Sequence, residues 1–188
     1  MANSIKRLLL AGSLFLLCMG ANAQQWALQT NLVDYANFGT LNIEGAVAFD
    51  QHWSAVATAK LNPFLFKYKG EPVSARQQVL AAGVRWWPWH VYSGWWAGTR
   101  LQFQEYNRSN IKIKERPTDE GDRLGIGLSG GYSYMLNPHL NVDVGIGVWG
   151  GWDRYTTYSC PVCGLVKDKG QRGFILPNDL LLALVYVF

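Results

Sequence analysis

Cys160-Pro161-Val162-Cys163-Gly164 sets two thiols three residues apart. Such a pair has three uses. In an oxidising compartment it closes a local disulfide. With two further ligands it holds zinc. At the start of a helix in a thioredoxin-like fold it exchanges disulfides. The disulfide reading of Cys160 and Cys163 agrees best with their surroundings, because no helix pattern follows them. The other two uses, a metal knuckle completed by a partner and a redox pair, remain as alternatives. His52, His90 and His139 stand in short polar stretches elsewhere in the chain. No metal site within the chain and no cofactor are expected.

A second group is ionic. Glu44, Lys60, Arg85, Arg100 and Asp143 each interrupt a stretch that is otherwise apolar or small. Charges withdrawn from water must pair, or each costs several kcal/mol of desolvation. These five are expected to form a lumen network that acts as a polar core and plug. The other reading of the same residues is a narrow path for small ions. Catalysis needs a nucleophile or an activated water beside an acid or base. The half of the chain's surface that carries long polar loops has Ser, Asp and Arg but no His, so no catalytic residue is assigned and a non-enzymatic protein is expected.

Those charges share one interior only if strands hold them there. Successive side chains of a strand point to opposite faces. Leu140, Val142, Val144, Ile146 and Val148 alternate with Asn141, Asp143, Gly145 and Gly147. Leu124, Ile126 and Leu128 alternate with Gly125, Gly127 and Ser129. Leu180, Leu182, Leu184, Tyr186 and Phe188 follow the same rule. The pattern predicts eight strands, at 26–35, 39–49, 53–62, 76–87, 94–106, 123–136, 140–153 and 174–188. Short turns at 50–52, 88–93 and 137–139 alternate with long charged connections at 63–75, 107–122 and 154–173. Short turns at one end and long loops at the other describe an eight-stranded antiparallel up-and-down transmembrane β-barrel, an all-β fold. Eight strands enclose a bore that side chains just fill. A soluble barrel of lipocalin type is the competing architecture.

Composition limits the remaining classes. The 188 residues are 49% hydrophobic and only 16% charged, with 9 Trp, 9 Tyr and 8 Phe. That excludes a disordered chain. No apolar run reaches the 18 residues of a membrane helix. Residues 1–23 read as a secretory signal peptide: Lys6 and Arg7, an apolar stretch from Leu8 to Met19, then Ala21-Asn22-Ala23. Cleavage leaves 24–188 as one outer-membrane domain of 165 residues. It also lowers 17 basic side chains to 15, against 13 acidic, so the net charge of +4 falls to +2. Nucleic acid is therefore not an expected partner.

The aromatic residues gather near the short turns. Trp26, Trp53, Trp86, Trp87, Trp89, Trp95 and Trp96 stand there, with Tyr92, Tyr186 and Phe188. Such residues favour a membrane–water boundary, so they are expected to form a girdle against outer-membrane lipids. The final strand, closing on Phe188, resembles the signal by which the outer-membrane insertion machinery recognises bacterial barrels. Lys67, Lys69, Arg108, Lys112, Lys114, Arg116, Arg154, Lys167, Lys169 and Arg172 populate the long loops. They read as a solvated rim, with contact to anionic headgroups as the functional alternative.

Gln29-Thr30-Asn31-Leu32, Asp50 to Trp53, Val84-Arg85-Trp86-Trp87, Gly130-Gly131-Tyr132-Ser133-Tyr134 and the Cys160 to Gly164 motif together resemble an uncharacterised family of Bacteroidota outer-membrane barrels, the domain of unknown function 3575. The resemblance covers nearly the whole mature chain. This chain departs from the family where Gln29 replaces a common Lys and Ala82-Gly83 replace a common Pro-Glu. The resemblance implies no activity. It implies a role around cell-surface structures, because some members sit beside fimbrial-type genes, and so a surface-structure protein as partner.

Overall fold

The structure, a computed structural model, describes residues 26–68, 71–109, 118–159 and 164–188. The expected signal peptide, Cys160 and Cys163 lie outside these residues. Nine strands follow in order: β1 (Trp26–Asn31), β2 (Leu41–Asp50), β3 (Trp53–Asn62), β4 (Leu65–Tyr68), β5 (Glu71–Trp86), β6 (Gly94–Ser109), β7 (Thr118–Asn137), β8 (Leu140–Tyr158) and β9 (Val166–Val187). One short helix, α1 (Leu32–Ala36), separates β1 from β2. β4 continues β3 along the same neighbour, β5.

Every pairing is antiparallel and sequential, and β1 also pairs with β9. The sheet therefore closes into a ring of eight strands. Its stagger is visible in the register. A path from Leu28 through Gly45, Ala57, Ala82, Leu101, Ile126 and Gly150 arrives on β9 at Ile175. Leu28 itself pairs with Tyr186, eleven positions further along β9. A closed sheet acquires this offset because its strands tilt. We call the end with the short turns the base and the opposite end the top.

Alternation decides which side chains face in. On β8, Asn141, Asp143, Trp149 and Asp153 are buried, while Val144, Ile146, Val148 and Trp152 are exposed. Large apolar residues thus cover the outside. Small ones make room within. Gly131 and Gly145 are register partners, and a Cβ on either would stand 2.8 or 3.1 Å from Cζ2 of Trp96. The pair leaves the space that this indole fills.

Two expectations about boundaries fail for physical reasons. The strand expected over 26–35 stops at Asn31, because the Asn31 side chain accepts a hydrogen bond from Val33 N at 3.2 Å and starts α1. An N-cap of this kind competes with the extended chain. Phe38 and Gly39, with φ of 52° and 71°, complete the reversal. Among the described residues, the loops expected at 63–75, 107–122 and 154–173 carry strand at 65–68, 71–75, 107–109, 118–122, 154–158 and 166–173. In the last two loops the strand residues are mostly polar on both faces, so no hydrophobic alternation marks them. Polar cross-strand bonds hold them instead: Thr157 donates to Asp119 at 2.8 Å, Asn107 to Glu120 at 3.4 Å and Tyr155 to Asp168 at 3.0 Å.

Candidate functional site

The base of the ring is filled from below. The 88–93 turn folds inward, with Tyr92 at a φ of 64°. Trp87, Val91, Tyr92 and Trp96 form a buried cluster. Trp87 and Tyr92 meet edge to face at 5.8 Å, and Trp87 and Trp96 stand 6.3 Å apart. Trp87 Nε1 donates to Ser54 Oγ at 3.0 Å. The Tyr92 carbonyl accepts from Asn141 Nδ2 at 2.7 Å and Ser133 Oγ at 3.2 Å. This corrects one assignment: Trp87, expected in the outer girdle, is 1% exposed and plugs the interior. Trp96 and Tyr92 are buried with it. The reason is parity. Trp87 follows Arg85 by two residues and so shares its inward face. Trp26, Trp53, Trp86, Trp89, Trp95, Tyr186 and Phe188 are exposed on the outer surface.

The ion network lies on this plug. Arg85 stacks over the Trp96 ring at 4.4 Å. Its Nη2 donates to Glu44 Oε1 at 2.5 Å, and its Nη1 stands 3.6 Å from Asp143 Oδ2. Arg100 Nη1 approaches Glu44 Oε2 at 4.0 Å. Gln29 Nε2 and Thr58 Oγ1 also donate to Glu44, at 2.8 and 2.7 Å. Four of the five expected residues therefore meet. Lys60 is the exception, pairing with Asp34 of α1 at 2.8 Å. Two voids of about 20 and 10 Å³ adjoin the network. At that size each is room for about one water molecule at most.

A second ionic cluster lies higher. Asp153 is 0% exposed. It accepts from Tyr106 Oη at 2.9 Å, from Arg172 Nε at 2.9 Å and from Arg123 Nη2 at 3.3 Å. Arg123 lies under the Tyr106 ring at 4.0 Å, and Arg108 lies 5.2 Å from the same ring. Burial, then the hydrogen bond to Asp153, pushes the Tyr106 hydroxyl above its ordinary pKa. The sequence reading missed this cluster, assigning Arg108 and Arg172 to a solvated rim. The signal was available. Asp153 continues the inward series of Asn141 and Asp143, and Tyr106 continues that of Arg100, Gln102 and Gln104.

Above Tyr106 the interior widens into a cavity of about 890 Å³. Asn62, Gln77, Tyr106, Gly121, Tyr155 and Gly170 form its inward row. Among the described residues the ring is therefore a cup, closed at its base by aromatic rings and ion pairs and open at the top.

A family model described as a protein of unknown function (DUF3575) matches residues 9–188. No curated protein matches the chain.

Proposed function

We propose a function from one premise: the chain belongs to the DUF3575 family, whose description assigns no activity. The protein is an outer-membrane β-barrel, non-enzymatic, with a structural or surface-interaction role exercised through its tall upper strands. The observation that carries this reading is the inversion of polarity across the wall. Ile175 and Ile146 are 83% and 69% exposed, whereas Glu44 and Asp153 are buried inside. Water would reverse that arrangement, and a bilayer requires it.

The outer band has the right height. On β7 it runs from Leu124 to Tyr134, ten residue steps that at about 3.3 Å each and a tilt of about 40° span about 25 Å. Aromatic residues border it at the base, from Trp26 to Phe188. Tyr35, Phe38, Phe64, Phe66 and Trp152 are exposed at its upper border. Among the described residues no helix is long and apolar enough to cross a membrane; in this reading the strands would do so. The exposed Leu180, Leu182, Leu184, Tyr186 and Phe188 would serve the insertion machinery before they face lipid.

Support for a structural rather than catalytic interior comes from its hydrogen bonds. The oxygens of Glu44 and Asp153 are taken up by Arg85, Gln29 and Thr58 in one cluster and by Arg123, Arg172 and Tyr106 in the other. The mature chain should need detergent to stay dispersed. Unboiled, it should migrate differently on gels from the boiled form. A chain that stays dissolved without detergent and shows no heat-dependent shift would overturn the assignment.

A further inference from the structure

β9 is taller than the strand that closes the ring beside it. β8 pairs along β9 from Val166 to Tyr186, whereas β1 reaches only Ala183 to Val187. Asn31 extends that second ladder by one step. Its Nδ2 donates to Leu180 O and its Oδ1 accepts from Leu182 N, both at 3.1 Å. Between Val166 and Leu180, no described strand pairs with this edge of β9. That length is about 45 Å of extended chain.

The unpaired edge opens onto the upper cavity. Leu61, Asn62 and Pro63, at the end of β3, line one side of it. Lys169, Gly170 and Gln171 of β9 line another. Among the described residues the strand wall is thus interrupted where the cup is widest, with β9 as one bank of the interruption, and α1 also packs against β9.

We propose that this edge binds an extended acidic segment of a partner protein as an added strand, a reading that rests on the surface-interaction role above. Geometry selects a strand, because an open edge offers backbone donors and acceptors at strand spacing. Charge selects the acidic character. Lys167 and Lys169, both exposed, stand against Asp168 between Val166 and Phe174, where Arg172 is already paired with Asp153. Orientation disfavours a second copy. Two barrels in one membrane related by a two-fold axis along its normal both run β9 upward. With tilts of about 40° the two strands cross at about 80°, too steeply to form a ladder. A segment from another protein has no such restriction. Its alternate side chains would enter the cup beside Tyr155 and Arg172, and the others would lie outside near Lys169.

The test uses the mature chain folded in detergent micelles and a fluorescent octapeptide, (Glu-Val)4. Saturable binding is expected, with slowed amide exchange confined to Val166 through Ile175. Lys167→Glu/Lys169→Glu should weaken it at least tenfold and instead bind (Lys-Val)4, with folding verified by the gel shift. Equal binding of (Glu-Val)4 N-methylated at every residue would overturn strand addition. Binding of neither peptide would also overturn it, leaving the lysines as a guard against pairing. Protection of the same amides at rising protein concentration without peptide would assign the edge to self-association and sink the proposal. Should the chain fold without detergent, the membrane reading fails, and the same titration in buffer judges this one separately.

Discussion

Glu44 shows what one residue must do in a filled ring. It neutralises Arg85 and faces Arg100, and its side chain is 6% exposed. Replacing it by Gln keeps the shape and removes the charge. Arg85 then keeps Asp143, 3.6 Å away, as a carboxylate neighbour. Glu44→Gln should destabilise the fold by about 3–5 kcal/mol, read from urea unfolding in micelles. Adding Arg85→Gln should cost less than its effect in the parent chain, with a coupling of about 1–3 kcal/mol. Strict additivity would mean that the two side chains do not act as a pair. Trp87 teaches the complementary lesson. A tryptophan near a turn can be a membrane anchor or a stopper, and the face it shares with Arg85 chooses the stopper.

At the scale of elements, the upper strands and the apolar band of the wall are built by different forces. The band is held by ladders that lipid would make obligatory. The upper strands carry few apolar residues and rely on polar pairs. Tyr155 donates to Asp168 and Tyr158 donates to Glu120. Each hydrogen bond, the largest cause in each case, raises the tyrosine's pKa above its ordinary value of 10.0. A raised folded pKa means that the stabilisation is complete below the ordinary tyrosine value. It is lost as pH climbs through the raised one. Amide exchange in Thr118–Asp122 and Thr156–Tyr158 should therefore accelerate above pH 10 while Val142–Val148 stays protected. Tyr155→Phe/Tyr158→Phe should remove that pH step. A step of unchanged size in the double variant would place its origin elsewhere. Asn31 sits at the junction of these regimes. It ends β1, starts α1 and supplies the last hydrogen bonds to β9 from that side.

At the scale of the whole molecule, the described residues form a cup rather than a tube. Its base is closed by Trp87, Val91, Tyr92 and Trp96, with the Arg85 network above them. In planar bilayers the purified protein should show no steady large conductance. Shortening both indoles, as Trp87→Ala/Trp96→Ala, should raise the frequency of small, irregular openings. A stable open pore in the parent chain would contradict a sealed base.

The pattern of alternating side chains was enough to determine eight antiparallel strands, the inward placement of Glu44, Arg85, Arg100 and Asp143, and the apolar outer face. Period two is a local property, and each strand displays it without knowledge of its neighbours. Only the closed ring decided which partners those charges take. Lys60 meets Asp34 because α1, packed against β2 and β9, brings that carboxylate to it, which no alternation announces. The same holds for the Asp153 cluster, assembled from β6, β7, β8 and β9. It holds too for the unpaired edge of β9, which arises from the unequal heights of strands that become neighbours only when the sheet closes.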